Sequence, residues 1–410
     1  MSFRHSRSGN GADFRECVWG SMKRGRFDAD VFVVGGGPAG LAAAIAARQE
    51  GFRVSVADCG APAKEDACGD VLMPAGVTAL RKLGVGLGLN DGMPFRGLRF
   101  VERRVAAQAD FPDGWGRGVR WSTLHKLLIE RAWRVGVEVN WGVRVRSGQA
   151  GELTADGSAV HSRWIIGADG KNSRVRNWAG LGADGKGEKQ RALRRHYRVK
   201  PWSEHAEVHW SAECQMYVTP AGANDVCVAA LTCKDELKFE EALARFPGVA
   251  ARVAGAEAGV IEKSEMGATR SVRRVFSGNI ALAGDASGGV NALTGDGLAL
   301  ALQQGVRLAA ALRKNDLRGY QREHRKMMQR PLLMSRLLEV LSRRGWLRRR
   351  LVSALAANPA MFSRLLAAHA GTMNLPKLVL DYAPEFTWQV LTAHDASSPN
   401  EVNAPRFDGR

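Results

Sequence analysis

The chain is predicted to be α/β (α+β), with a parallel sheet built on a βαβ unit, an antiparallel-sheet second domain and a helical C-terminal region. Three observations predict this. A glycine-rich turn near residue 35 links one apolar run to a helix-forming run and then to a second apolar run. Short segments such as "HYRVKPW", "AEVHW", "QMYVTP" and "DVCVAAL", between residues 196 and 231, alternate apolar and polar residues as half-buried strands do. From about residue 321 the pattern turns helical, with Leu333, Leu337 and Leu341 each four residues apart and arginines on other faces. At 410 residues the chain is long enough for two or three domains and a sizeable core.

Residues 1–27 are polar and basic, with no apolar run of signal-peptide length. They read as a flexible basic extension, in which Met22 is an alternative start. Residues 31–34 form a strand, and Gly35-Gly36-Gly37-Pro38-Ala39-Gly40 then fits G-x-G-x-x-G. A helix-forming run follows, Gly51 ends it, and residues 54–56 form a second strand with Asp58 at its end. This is a βαβ unit with the Rossmann-like dinucleotide fingerprint in its required context. Gly35 allows a tight turn, Gly37 lets a pyrophosphate approach the backbone, and Gly40 lets the helix pack close to the strand. The helix N-terminus favours the phosphates, and Asp58 stands where an acid accepts ribose hydroxyls.

Two further segments follow. Residues 164–180, "WIIGADGKNSRVRNWAG", carry an apolar strand, then Asp169-Gly170, then Ser173 and Arg176. Residues 281–297, "ALAGDASGGVNALTGDG", are stripped of long side chains just before a helical run. Such a stretch serves where another group lies against the backbone. With G-x-G-x-x-G at 35–40, Asp169-Gly170 and Gly284-Asp285 in order, the sequence resembles FAD-dependent oxidoreductases of the p-hydroxybenzoate hydroxylase type, the group A flavoprotein monooxygenases. The resemblance covers roughly residues 28–320.

The resemblance implies FAD as cofactor, with Asp285 on a ribityl or ribose hydroxyl. It also implies that Gly295 and Gly297 bring backbone N–H groups to the flavin ring edge. The 284–297 segment is similar to that of the geranylgeranyl reductase branch, with Asp296 where that branch has glutamate. "ACGD" matches the branch's Cys-Gly pair, which implies that Cys68 lies near the flavin. "CQMYVTPAG" resembles a cavity-lining strand, with Tyr217 and Thr219 at aromatic positions. Arg120 stands one residue before the position of the family's FAD-contacting arginine. The WxWxIP motif of the halogenase branch is missing. NADPH or NADH is the implied electron donor, and no second fingerprint is visible for it.

On this reading the FAD-binding domain is discontinuous, at 28–95, 119–180 and 265–320. The substrate domain takes 96–118 and 181–264. C-terminal helices occupy 321–393, and 394–410 form a disordered tail. His196, Tyr197, His209 and Tyr217 fall on substrate-domain strands, where each either faces substrate or serves as a structural hydrogen bonder. The methionines and leucines of the C-terminal region either fill a core or form a lid over a greasy tunnel.

The formal charge is +18, and residues 313–350 hold 13 Lys/Arg against Asp316, Glu323 and Glu339. Such a helical region is either a solvated face or a contact for an anionic membrane surface; without zinc-finger or RNP-type motifs, nucleic acid is not expected. The six cysteines show no paired spacing, so neither a metal site nor a disulfide framework is expected, and a cytoplasmic setting follows.

The expected function is that of an NAD(P)H-driven monooxygenase, a hydroxylase or epoxidase, on a lipophilic substrate such as a polyketide or isoprenoid. A reductase of isoprenoid double bonds is the alternative. A flavin-holding sensor or scaffold is the non-enzymatic one.

Overall fold

The computed structural model describes residues 28–62, 70–147, 153–184, 190–266 and 269–393. The N-terminal extension, the C-terminal tail and Cys68 lie outside the described residues. The first sheet has six strands in the order Phe276–Ser277, Ile280–Leu282, Ser162–Gly167, Ala29–Val34, Val54–Asp58 and Glu138–Trp141. All its pairings are parallel except the first. Val31, Val33, Val56 and Ile166 are fully buried, as befits strands covered on both faces. The helix Pro38–Gln49 rises from the first strand and packs against the helix Gly297–Arg313. Gly305 makes that crossing close: a side chain there would come within 2.6 Å of the Ala43 nitrogen.

The second sheet runs Glu257–Ala258, Gln190–Arg198, Asp225–Thr232, Cys214–Gly222, His205–Trp210, Gly97–Glu102 and Val105–Asp110. Glu262–Met266 pairs beside the second of these. It departs from the expected antiparallel sheet at one ladder, between His205–Trp210 and Gly97–Glu102, which is parallel. The two strands come from distant parts of the chain, so no hairpin fixes their direction.

Register aligns Ala107, Phe100, Val208, Tyr217, Ala229 and Arg194 in one row across this sheet. Cross-strand partners share a face. This face packs with Leu293, Leu338, Leu341, Phe362 and Leu366. The opposite face packs with Phe239, Phe246 and Val249 of two short helices.

The C-terminal helices are Leu317–Arg343, Gly345–Ala357, Pro359–Ala370 and Leu375–Thr392. The first packs inward through Met328, Pro331, Ser335, Leu338 and Leu341. Leu333 and Leu337 are exposed, so of the three leucines at four-residue spacing only Leu341 is covered. Arg348 also departs from the basic face. It is buried and paired with Glu102, Nε to Oε2 at 2.7 Å. No single helix among the described residues is long and apolar enough to cross a membrane. One pair, Gly345–Ala357 with Pro359–Ala370, passes that test only together and is bent by 108°.

Candidate functional site

Three motif loops meet at the carboxyl ends of adjacent parallel strands, where open α/β sheets bind their ligands. Gly35 leaves Ala29–Val34 with φ +110°, and a side chain there would lie 2.3 Å from the Ala168 oxygen. Gly40 is tighter still, since its Cβ would lie 1.8 Å from the Gly35 oxygen. Gly37 caps the helix Pro38–Gln49, with Pro38 and Ala39 in its first turn, and its missing Cβ faces open space. That open cradle at a helix N-terminus fits a diphosphate. Asp58 accepts from Gly36 N–H through Oδ2 and from Gly60 N–H through Oδ1, both at 2.6 Å. The sequence reading missed His125, whose Nε2 lies 2.8 Å from the Gly36 oxygen, and Trp141, whose ring packs on Gly36.

Asp169 is committed within its own loop. Ser173 Oγ donates to Oδ1 at 2.5 Å, while the Arg174 and Val175 N–H groups donate to Oδ2. This fixes the helix Arg174–Trp178, with Gly170 turning at φ +79°. Buried Arg176 donates to the Ala286 oxygen at 3.0 Å and so ties this loop to the third.

The third loop is held from behind. Gly284 N–H donates to Gln304 Oε1 at 2.7 Å, and its φ of +62° sets it against Ala39. Ser287 Oγ donates to the Gly284 oxygen and meets His324 Nε2 at 2.9 Å. Burial pushes His324 down to about 4, so its imidazole is neutral. Asp285 is exposed at the loop surface. Gly295 turns in the left-handed region, Asp296 caps the helix and Gly297 is its first residue, with open space beside it. Asp296 Oδ2 lies 3.0 Å from Nε2 of His369, which comes from the helix Pro359–Ala370. Burial opposes the charge on His369, but Asp296 outweighs it and raises the imidazole's pKa. Gln304 had a visible sequence signal, a polar residue inside an apolar run. His324 and His369 had none.

Arg120 caps the helix Trp121–Arg134 and turns to the second sheet, pairing with Asp225 through two bonds of 2.9 and 3.0 Å. His196 is buried between carboxylates, with Nε2 2.9 Å from Asp70 and Nδ1 3.3 Å from Asp225. Burial alone would depress its pKa, but the two carboxylates raise it to about 9. Both ring nitrogens thereby face carboxylates, which argues against His196 as a substrate contact. Cys227 joins Asp70 and His196 within 4.8 Å. Arg194, 2.7 Å from Asp70, already supplies positive charge there, so the cluster reads as an ion network rather than a cation site.

Tyr217 differs. It packs in the apolar cluster with Leu293 and Ala292 of the third loop, and its hydroxyl is buried without a hydrogen-bond partner among the described residues. Burial raises its pKa far above the ordinary tyrosine value.

A parallel sheet with converging glycine loops at the carboxyl ends of its strands defines a dinucleotide-binding frame. The chain belongs to the family described as FAD binding domain, which matches residues 28–325. It is similar to the menaquinone reductase of Mycobacterium tuberculosis, 35% identical over 156 residues. That alignment covers 35% of this chain and only 38% of the relative's length. The menaquinone reductase of Mycolicibacterium smegmatis is 29% identical over 69% of this chain and 76% of its own. The 6-methylpretetramide 4-monooxygenase of Streptomyces rimosus is 32% identical over 38% of this chain and 41% of its own. Among solved structures, a flavoprotein/dehydrogenase from Cytophaga hutchinsonii superposes with TM-score 0.72 at 19% identity, covering 88% of this chain and 99% of that one. At that identity the likeness concerns the fold.

Proposed function

We propose that this protein is an NAD(P)H-driven monooxygenase acting on a lipophilic small molecule. One observation carries the reading: the unpartnered hydroxyl of Tyr217, set in an apolar cluster against Ala292 and Leu293 of the third loop. A buried polar atom without a partner costs about 1–3 kcal/mol, which a substrate oxygen or nitrogen would recover. When bound, FAD supplies the redox chemistry. Gly37 and the helix N-terminus would hold its diphosphate, Asp58 would take a ribose hydroxyl and Asp285 a ribityl hydroxyl. The amides at Gly295 and Gly297 would serve its ring. The Tyr217 hydroxyl holds the substrate's polar group, while the apolar walls exclude water and fix the reacting carbon.

The similarity to a protein named 6-methylpretetramide 4-monooxygenase supports oxygen insertion. The longer alignment with a menaquinone reductase favours a second reading, reduction of a lipophilic substrate without oxygen. The purified protein is expected to be yellow. Asp285→Ala and Gly37→Asp are each expected to empty it, the second by placing a carboxylate against the diphosphate. A colourless wild type that cannot be loaded with FAD overturns the cofactor assignment. To separate the two reactions, the enzyme is given NADPH or NADH and a lipophilic extract, in air and under strict anaerobiosis, and product masses are read. A gain of one oxygen atom only in air is expected. A gain of two hydrogens at full rate without oxygen establishes the second reading instead.

A further inference from the structure

The helix Leu317–Arg343 has two apolar sides, and only one is covered. Leu338 and Leu341, 5% and 3% exposed, close over the second sheet. Leu333, Leu337 and Val340 are 52%, 44% and 45% exposed and share one outward stripe, four and three residues apart. The same outward side carries exposed Arg318, Arg322, Lys326, Arg336 and Arg343, and exposed Arg344 follows at the helix end. Two ion pairs on this side are weak ones between exposed groups, Arg322 with Asp316 at 3.5 Å and Lys326 with Glu323 at 3.2 Å. In the next helix, Trp346 is 48% exposed and lies under the Arg350 guanidinium. Arg350 also donates to the Leu391 oxygen, which brings exposed Leu391 to the same neighbourhood.

We propose that this outer face docks on the surface of an anionic lipid bilayer. An apolar stripe flanked by arginine and lysine, with an exposed tryptophan beside it, matches what a helix lying in the membrane interface presents. A nucleic acid would meet the charges but leave the leucines in water. A second copy placed face to face would set two strongly basic surfaces against each other. Because the opposite side of the same helix walls the apolar cluster around Tyr217, docking would bring that cluster close to lipid. That last step rests on the lipophilic substrate proposed above, whereas the docking itself does not.

The full-length, FAD-loaded protein is sedimented with vesicles of phosphatidylcholine alone and of phosphatidylcholine containing about one-third phosphatidylglycerol. Binding is expected only to the anionic vesicles. Each basic residue near such a surface strengthens binding by roughly fivefold, so Arg336→Gln/Arg343→Gln/Arg344→Gln is expected to weaken it by about 100-fold. Leu333→Ser/Leu337→Ser/Val340→Ser is expected to abolish it while leaving the flavin spectrum unchanged, because all three residues are exposed. A control with the same charge change elsewhere, Arg81→Gln/Lys82→Gln/Arg134→Gln, is expected to bind as wild type. Equal binding to both vesicle types overturns the proposal, as does equal loss in the control. So does wild-type self-association that the serine variant removes. Protein bound to vesicles is measured by mass, so a colourless protein that still binds overturns the functional reading and leaves this one standing.

Discussion

His196 gives a quantitative test of the buried ion network. Its imidazole sits between Asp70 and Asp225 and is held at about 9, against 6.5 for an unperturbed histidine. At 1.36 kcal/mol per unit, that difference contributes on the order of 3 kcal/mol to folding. The folded-state pKa is raised, so the contribution is fully present below about pH 6.5 and is lost as pH rises through about 9. His196→Gln removes the titrating group. The assay compares urea midpoints of wild type and variant between about pH 6 and about pH 9.5. The wild type's advantage is expected to fall by roughly 3 kcal/mol across that window. An imidazole NMR signal titrating near 9 should accompany it and be missing from the variant. If both proteins lose stability in parallel, or the imidazole titrates near 6.5, the network does not hold His196 as the geometry implies.

Two further outcomes follow from buried groups. Arg348→Met strands Glu102, whose carboxylate is buried, and is expected to cost about 3–5 kcal/mol, read as a lower unfolding midpoint; an unchanged midpoint would show that the pair does not hold the helix to the sheet. Tyr217→Phe removes a hydroxyl that has no partner, so it is expected to stabilise the ligand-free protein by up to about 1–3 kcal/mol while raising KM. A stability gain with KM unchanged would remove Tyr217 from the substrate contacts.

The cofactor cradle was legible because its signals are local. Gly35, Gly37 and Gly40 are dictated by one turn and one helix start; Gly35 and Gly40 make close backbone approaches, and Gly37 leaves open space at the helix N-terminus. Most of the groups that brace the cradle were not legible. His125, His324 and His369 reach their loops from helices far away in sequence, and pairing at such range leaves no periodic trace; Gln304 showed only as a polar residue inside an apolar run. The C-terminal helix shows the same limit differently. Four-residue spacing grouped Leu333, Leu337 and Leu341 on one side, yet only Leu341 is covered. Spacing places a stripe on a helix but does not say which edge of it a neighbour will meet. For His196 the sequence left substrate contact and structural hydrogen bonding both open, because a lone histidine on a strand shows no partners. Its partners lie on a strand 29 residues later and, at Asp70, far earlier in the chain.

The bond between His369 and Asp296 sets an order of assembly. The loop that caps the helix Gly297–Arg313 is synthesised early relative to the helix Pro359–Ala370 that reaches back to it. During translation the nucleotide sheet and its first crossover helix have all their own strands well before His369 leaves the ribosome. The apolar cluster around Tyr217, which the helix Pro359–Ala370 helps to complete, therefore forms after the nucleotide sheet. A chain shortened before residue 359 would retain the G-x-G-x-x-G cradle yet lack Phe362 and Leu366 of the cluster around Tyr217 and the imidazole that Asp296 meets, so the cradle and the apolar cluster mature at different times in the life of one polypeptide.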